Sequence, residues 1–369
     1  TKLRGKNEKV FYFTLENPSI LEAVNAHPER IFQFIPHSPQ PILEGASKQR
    51  IFLLLDEIQY LDDPTNFLKF IYDEYEGNVK VIATGSSAFY IDRKFTDSLA
   101  GRKRIFHLYP LSFEEFLSFK DQEALNQEVQ LLQEQASYQS LKFPILEQYF
   151  FEYLTYGGYP AVVLEGNKEE KRFLLSELKD AYVRRDIAES GVEKEGKFYL
   201  LLQLLADQIG NLVNKNELSK TVQIDAKTVD QYIYILQKCY HIELIRPFYR
   251  NVQKELIKMP KCFFNDLGLR NAFLNRFMPI SERLDKGALL ENYFFLRFRE
   301  RYSMEQIKFW RTSDQKEIDF IIEEQFNVGR AVEIKWNSKQ FKTKKYEKFT
   351  DNYPDFQLEA LAAAHFWKF

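Results

Sequence analysis

The chain has 369 residues, with 51 Lys+Arg against 53 Asp+Glu and a formal net charge of -2. That length predicts roughly two to three domains. Hydrophobic residues at 45% and charged residues at 28% exclude a disordered chain. The apolar runs, such as 51–55, fall far short of the roughly 20 residues of a membrane helix, so no membrane partner is expected. Cys239 and Cys262 stand apart and the five histidines make no H-E-x-x-H pair, which excludes a disulfide framework, a thiolate zinc site and the obvious zinc hydrolases. Scarce Gly (14) and Pro (13) favour helices over a turn-dense all-β fold. No leader-like segment opens the chain, which points to the cytoplasm.

In chain order, Val10 to Leu15 reads as a strand stopped at Pro18, Ile51 to Leu55 as a second, wholly apolar strand, and Val79 to Thr84 as a third. Phe67, Phe70, Ile71 and Tyr75 recur at helical spacing between the last two. Strand, helix, strand with two-sided apolar strands predicts a parallel, helix-covered α/β sheet. Ser112 with Glu115 three residues on makes a capping-box pattern, and from there to Gly191 the chain reads as almost wholly helical. Three helical segments follow (Phe198 to Leu212, Asn216 to Val222, Ala226 to Tyr240), then β-rich runs over Ile242 to Tyr249 and Leu256 to Phe264. From Gly287 a helix precedes strands at Ile307 to Trp310, Glu317 to Ile322 and Ala331 to Trp336.

Asp56-Glu57 directly follows the second strand. A buried parallel strand delivers its last residues to the carboxyl edge of the sheet, where ligands of open α/β sheets bind. An aspartate there can hold magnesium, and a neighbouring glutamate can orient or deprotonate water. The alternative is a solvated strand end capped by acids. Thr84-Gly85-Ser86-Ser87 brings small hydroxyls to the same edge, and Arg102 offers a planar donor for a phosphate, although taken alone it reads first as a surface ion pair.

The segments LLLDEIQ, VIATGSS, DSLAGR and LYPLSFEEFL, in this order, resemble the prokaryotic AAA+ ATPases that carry a C-terminal domain of uncharacterised function. The likeness continues through VFYFTLENP, YGGYPAVV, RRDI, PKCFFNDLGLRN and LLENYFF, so it covers most of the chain. It implies an ATP- and magnesium-dependent enzyme with Asp56 on the metal, Glu57 on the water, Ser86 or Ser87 in the sensor position and Arg102 near phosphate. The family's phosphate loop, G-x-x-x-x-G-K-[ST], is absent from the 369 residues; Arg4-Gly5-Lys6-Asn7 is the nearest approach. The strand that carries this loop is expected in the middle of the sheet, beside the Walker B and sensor strands, where its loss would leave apolar edges unpaired. The expectation is therefore that a segment precedes Thr1.

Three helices and a hairpin form the order of a winged helix-turn-helix. Asp225 is placed to cap the third helix, and Lys227, Thr228 and Gln231 point outward near its start, where a recognition helix faces DNA. Arg250, Lys254 and Lys258, with Arg246 and Lys261, make the hairpin basic and suited to phosphates. Asp225 and Asp230 work against DNA contact, and such folds also serve as plain packing modules.

The last unit sets Glu291 on a helix, Asp319 on one strand and Glu333 and Lys335 on the next. Period-two alternation puts Glu333 and Lys335 on one face. Helix, hairpin, D and E-x-K resembles the PD-(D/E)xK nuclease fold, which implies a divalent ion shared by Asp319, Glu333 and Glu291 and a catalytic Lys335. The competing reading is a plain Glu333–Lys335 ion pair. Six lysines against one glutamate over 335–348 suit a polyanion.

The expected architecture is thus an α/β, P-loop NTPase-like parallel sheet (1–118) with a helical lid (119–192), a winged helix-turn-helix (193–268) and a small α/β restriction-endonuclease-like domain (269–369). The leading functional expectation is an AAA+ ATPase coupled to a half that binds DNA or a protein partner. A metal-dependent nuclease with a regulatory ATPase part and a non-catalytic nucleic-acid or protein adaptor are the alternatives.

Overall fold

Apolar runs alternating with amphipathic helices build the first unit, residues 1–107. The structure is a computed structural model that describes residues 9–36, 38–41, 50–85, 99, 101–135, 137–249 and 251–369, without the side chains of 189, 252 and 254. Its elements are β1 (Lys9–Thr14), α1 (Pro18–Ala26), β2 (Ile51–Asp56), α2 (Pro64–Tyr75) and β3 (Val79–Ala83). The three strands are parallel in the order β1-β2-β3, with Phe13 opposite Leu55 and Leu55 opposite Ala83. Ile51, Leu53 and Leu55 of β2 are buried with Phe67 and Ile71 of α2; full burial of such side chains contributes about 1.5–3 kcal/mol each. Asp63 caps α2 by accepting from the Asn66 N–H at 2.8 Å, leaving Pro64 at the first turn where its missing donor costs nothing.

One expectation for this sheet is refined. Pro18 not only ends β1 but begins α1, capped by Asn17, because a proline at the first helical turn is pre-organised for the helix. The strands expected to carry the Walker B and sensor residues, β2 and β3, bond to each other directly from Ile51–Val79 to Leu55–Ala83. β3 is the last strand of this sheet, and its far edge carries no further strand among the described residues.

The second unit spans residues 108–369. Its helices α3 (Phe113–Phe119), α4 (Glu123–Glu134), α5 (Phe143–Tyr156), α6 (Pro160–Leu164) and α7 (Lys168–Ser190) precede α8 (Glu195–Asp207), α9 (Lys215–Val222) and α10 (Ala226–Lys238). Then come β4 (Ile242–Pro247), α11 (Val252–Ile257), β5 (Lys261–Phe264), α12 (Leu267–Leu274), α13 (Lys286–Arg299), β6 (Ile307–Arg311), β7 (Glu317–Gln325), β8 (Val328–Lys335), α14 (Glu347–Asn352) and β9 (Phe356–Ala362). The capping box read at Ser112 and Glu115 is formed in both directions.

The strand expected from Leu256 begins only at Lys261, and 252–257 is helical. Its Gln-Lys-Glu-Leu stretch consists of good helix formers without β-branched alternation. β4 and β5 pair antiparallel, but Arg246 and Pro247 of β4 also pair with Lys308 and Phe309 of β6. The hairpin is thus part of a six-stranded sheet, β5-β4-β6-β7-β8-β9. Strand β9, parallel to β8, went unread in the sequence.

A buried carboxylate pins the helices to this sheet. Asp266 accepts from the Leu269 N–H that opens α12 and from the Gly158 N–H beyond α5, each at 2.7 Å. Gly157 has φ +73, and a Cβ there would fall 2.3 Å from the Asp266 carboxylate; a side chain at that position would be both strained and blocked.

Candidate functional site

Asp56 is the last residue of β2, and its carboxylate is held by two neighbouring strand ends. Tyr12 of β1 donates its hydroxyl to Oδ2 at 2.8 Å, and Thr84, just beyond β3, donates to Oδ1. The backbones are tied as well: Leu15 N–H donates to Asp56 O at 3.0 Å, Thr84 N–H to Leu55 O at 2.8 Å and Ile58 N–H to Thr84 O at 2.9 Å. The hydroxyl of Thr84, followed by that of Tyr12, holds the Asp56 carboxyl below the usual range for aspartate, because donors to a carboxylate favour its ionised form. Asp56 is therefore an anion at neutral pH, partly exposed at the carboxyl edge of the sheet.

Glu57 follows with φ 58 and ψ 51. Left-handed backbone at a non-glycine residue costs of order 1–3 kcal/mol and concentrates at functional sites. The turn directs the two adjacent acids differently, and Gln59, itself buried, donates its side-chain amide to Glu57 Oε2. Tyr12 and Gln59 were not singled out in the sequence. Period-two spacing along β1 and the DEIQ motif are the signals that point to them.

An oxygen-only donor set of an ionised carboxylate and a hydroxyl fits magnesium, which commonly takes one or two carboxylates and completes its shell with phosphate and water. Ser86 and Ser87, like Arg4 to Asn7, lie outside the described residues. Arg102 is not brought to Asp56. Its Nε pairs with Asp73 Oδ1 at 3.2 Å and its guanidinium lies 5.7 Å from the centre of the Tyr72 ring. Asp73 is near the end of α2, which runs back from the carboxyl edge of the sheet to reach the start of β3, so Arg102 sits toward the opposite edge.

In the second unit, the acids and lysine read from the sequence do meet. Glu291 projects from α13, Asp319 from β7, and Glu333 and Lys335 from β8. Lys335 Nζ donates to Glu333 Oε1 and lies 3.9 Å from Asp319 Oδ2, while that Asp319 oxygen accepts from the Ile334 N–H at 2.7 Å. Burial, reinforced by Glu291 and Glu333, pushes the Asp319 carboxyl well above its usual range. Burial also raises Glu291.

Two members of this cluster were missed. Glu317 enters from β7, and Lys261 enters from β5 with its ammonium 2.9 Å from Glu291 Oε1, 2.7 Å from Glu317 Oε1 and 3.9 Å from Asp319 Oδ1. Lys261 is therefore not part of a basic wing. Among the described residues, no group of three or more His, Cys, Asp or Glu is arranged to hold a metal, and an ammonium lies among the acids expected to do so. A lysine in the buried, otherwise apolar run KCFF was the available signal, since buried lysines are almost always paired.

On α10, Lys227 and Gln231 are exposed. Thr228 is turned back onto the helix cap instead: its N–H and hydroxyl both donate to Asp225. Asp230 pairs with Lys215. Lys258 is exposed just past α11, whereas Arg250 and the Lys254 side chain lie outside the described residues.

Residues 1–117 match the family described as AAA domain. Residues 147–279 match a domain of unknown function (DUF8612), and 286–365 match another (DUF4143). With the parallel three-stranded sheet, the first match supports an AAA-like ATPase family and nucleotide binding. The chain is similar to an uncharacterised protein of Haemophilus influenzae, 28% identical over 75% of this chain and 64% of the relative. Two uncharacterised proteins of Methanocaldococcus jannaschii are 25% and 27% identical, over 80% and 79% of this chain and 64% and 61% of their own lengths. The chain thus spans a little under two thirds of these curated relatives. Among the described residues, no helix is long and apolar enough to cross a membrane.

Proposed function

We propose that the protein is an AAA-type ATPase in which Asp56 holds magnesium–ATP and Glu57 positions the attacking water, coupled to a C-terminal half that binds a partner, DNA foremost. The observation that carries this reading is the hydroxyl-held Asp56 followed by left-handed Glu57 at the carboxyl edge of a parallel sheet. Tyr12 and Thr84 keep Asp56 ionised and oriented, and Gln59 keeps the Glu57 carboxylate in place. Bound magnesium would neutralise charge on the terminal phosphates. Glu57, on its own side of the strand end, is free of that duty and can accept a proton from water or orient it.

The test is ATP turnover by the whole natural protein that contains these residues. Glu57→Gln is expected to retain nucleotide binding and lose turnover by about 10²–10⁴-fold, the range for removing a positioned general base. Unchanged turnover in that variant would sink the proposal.

A metal-dependent nuclease at Asp319, Glu333 and Lys335 is the second reading, favoured by the meeting of these three side chains. Magnesium- or manganese-dependent cleavage of nucleic acid lost in Asp319→Ala and in Lys335→Ala is its test. Lys261, lodged among the same acids, stands against it.

A further inference from the structure

We infer that the ammonium of Lys261 is the built-in cation of the cluster formed by Glu291, Glu317 and Asp319, so that these acids are joined without a divalent ion. The geometry sets an amine where the acids converge. Its Nζ makes contacts of 2.9 Å and 2.7 Å with carboxylates from α13 and β7, and the side chain is only 2% exposed. A lysine ammonium has three donors and no acceptor, which suits a pocket walled by acids. Magnesium binds oxygens at about 2.0–2.1 Å and calcium at about 2.3–2.6 Å; either ion, drawn to these oxygens, would compete for the volume that Nζ fills.

Charge gives the same answer. Glu291, Glu317, Asp319 and Glu333 face Lys261, Lys335, Lys345 (3.6 Å from Glu333) and Arg311 (2.7 Å from Glu317). Each of these acids already has a cationic partner, so an added divalent ion would have to displace one. Burial opposes the Lys261 charge, but Glu291, Asp319 and Glu317 outweigh it and hold the ammonium above its ordinary pKa.

The backbone fixes this lysine. Gly210 N–H donates to Cys262 O and Val213 N–H to Pro260 O, each at 2.8 Å, on either side of Lys261. Gly210 has φ +74, and a Cβ there would come within 3.2 Å of the Glu291 carboxylate. The loop therefore closes against the cluster as a glycine allows.

The inference stands apart from the ATPase reading, since its readout is at Asp319 rather than Asp56. Thermal unfolding and isothermal titration with Mn²⁺ alone test it. Wild type is expected to show no Mn²⁺-induced rise in Tm, and no heat of binding that disappears in Asp319→Asn. Lys261→Met is expected to melt lower than wild type and to gain an upward Tm shift with Mn²⁺, a gain lost in Lys261→Met/Asp319→Asn. Lys261→Arg, which keeps the positive charge, is expected to show no Mn²⁺ response. Mn²⁺ binding by wild type that Asp319→Asn abolishes would overturn the inference, and so would a folded Lys261→Met without any Mn²⁺ response. Should Lys261→Met fail to fold, the comparison of wild type with Asp319→Asn decides the question.

Discussion

The two acidic sites of this chain solve the same electrostatic problem in opposite ways. At the end of β2, Asp56 stays partly exposed and is oriented by neutral hydroxyls from Tyr12 and Thr84, which leave its charge uncancelled. In the second unit, Glu333 is 1% exposed and Asp319 is buried beside it, and every acid of the cluster has an ammonium or guanidinium partner. A carboxylate held by hydroxyls remains available to a cation that arrives. One held by a lysine has already been neutralised, and its energy is spent on joining strands and helix. The same residue types thus read as a site in one place and as a joint in the other, and their partners make the difference.

The contrast predicts a large stability effect at Lys261. Removing one partner of a buried ion pair leaves the other charge uncompensated and costs about 3–5 kcal/mol. Lys261→Met is therefore expected to lower the unfolding free energy by about that much in denaturant titration. A loss below about 1 kcal/mol would place this cluster with exposed ion pairs instead.

Asp266 sharpens the comparison as a buried acid served by backbone N–H groups. Burial pushes its carboxyl up to about 6. A raised folded pKa means that the native state holds the proton more tightly than the unfolded chain between about pH 4 and 6. The Asp266 contribution is thus fully present below about pH 4 and is lost as pH rises to about 6, a change on the order of 3 kcal/mol. The difference in stability between wild type and Asp266→Asn, measured across that range, is expected to shift against wild type as pH rises. A flat difference would show that the amides keep Asp266 ionised.

The smallest effect is expected at Asp56. Thr84→Val and Tyr12→Phe each remove a donor to the ionised carboxylate, so each is expected to raise the Asp56 pKa toward the ordinary value with the fold intact, Thr84→Val more. Carboxyl-carbon NMR titration reads this directly, and an unchanged titration in both variants would separate the hydroxyls from the control of Asp56.

Much of this was legible in the residues. An apolar run ending in Asp-Glu fixes a strand end, and the parallel β-α-β order carries the pair to the carboxyl edge. Period-two spacing put Glu333 and Lys335 on one face, and the hairpin brought Asp319 to them. What escaped depended on contacts distant in sequence. Lys261 lies 30 residues from Glu291, so local pattern counted it with the basic hairpin. Strand β9 alternates weakly, as Phe-Gln-Leu-Glu-Ala-Leu-Ala, and is defined by its pairing with β8. The strand expected from Leu256 overlaps only the end of the helix at 252–257, because a few apolar residues fit either period over so short a run. Arg102 was assigned toward phosphate by motif, whereas the plain ion-pair reading of the same residue is the one its contact with Asp73 matches.

The most direct measurement is ATP turnover by the whole natural protein in Asp56→Asn and, separately, in Asp319→Asn. Loss of turnover in the first with turnover kept in the second is the predicted result. Turnover that survives Asp56→Asn would contradict the assignment of the hydroxyl-held acid as the nucleotide site.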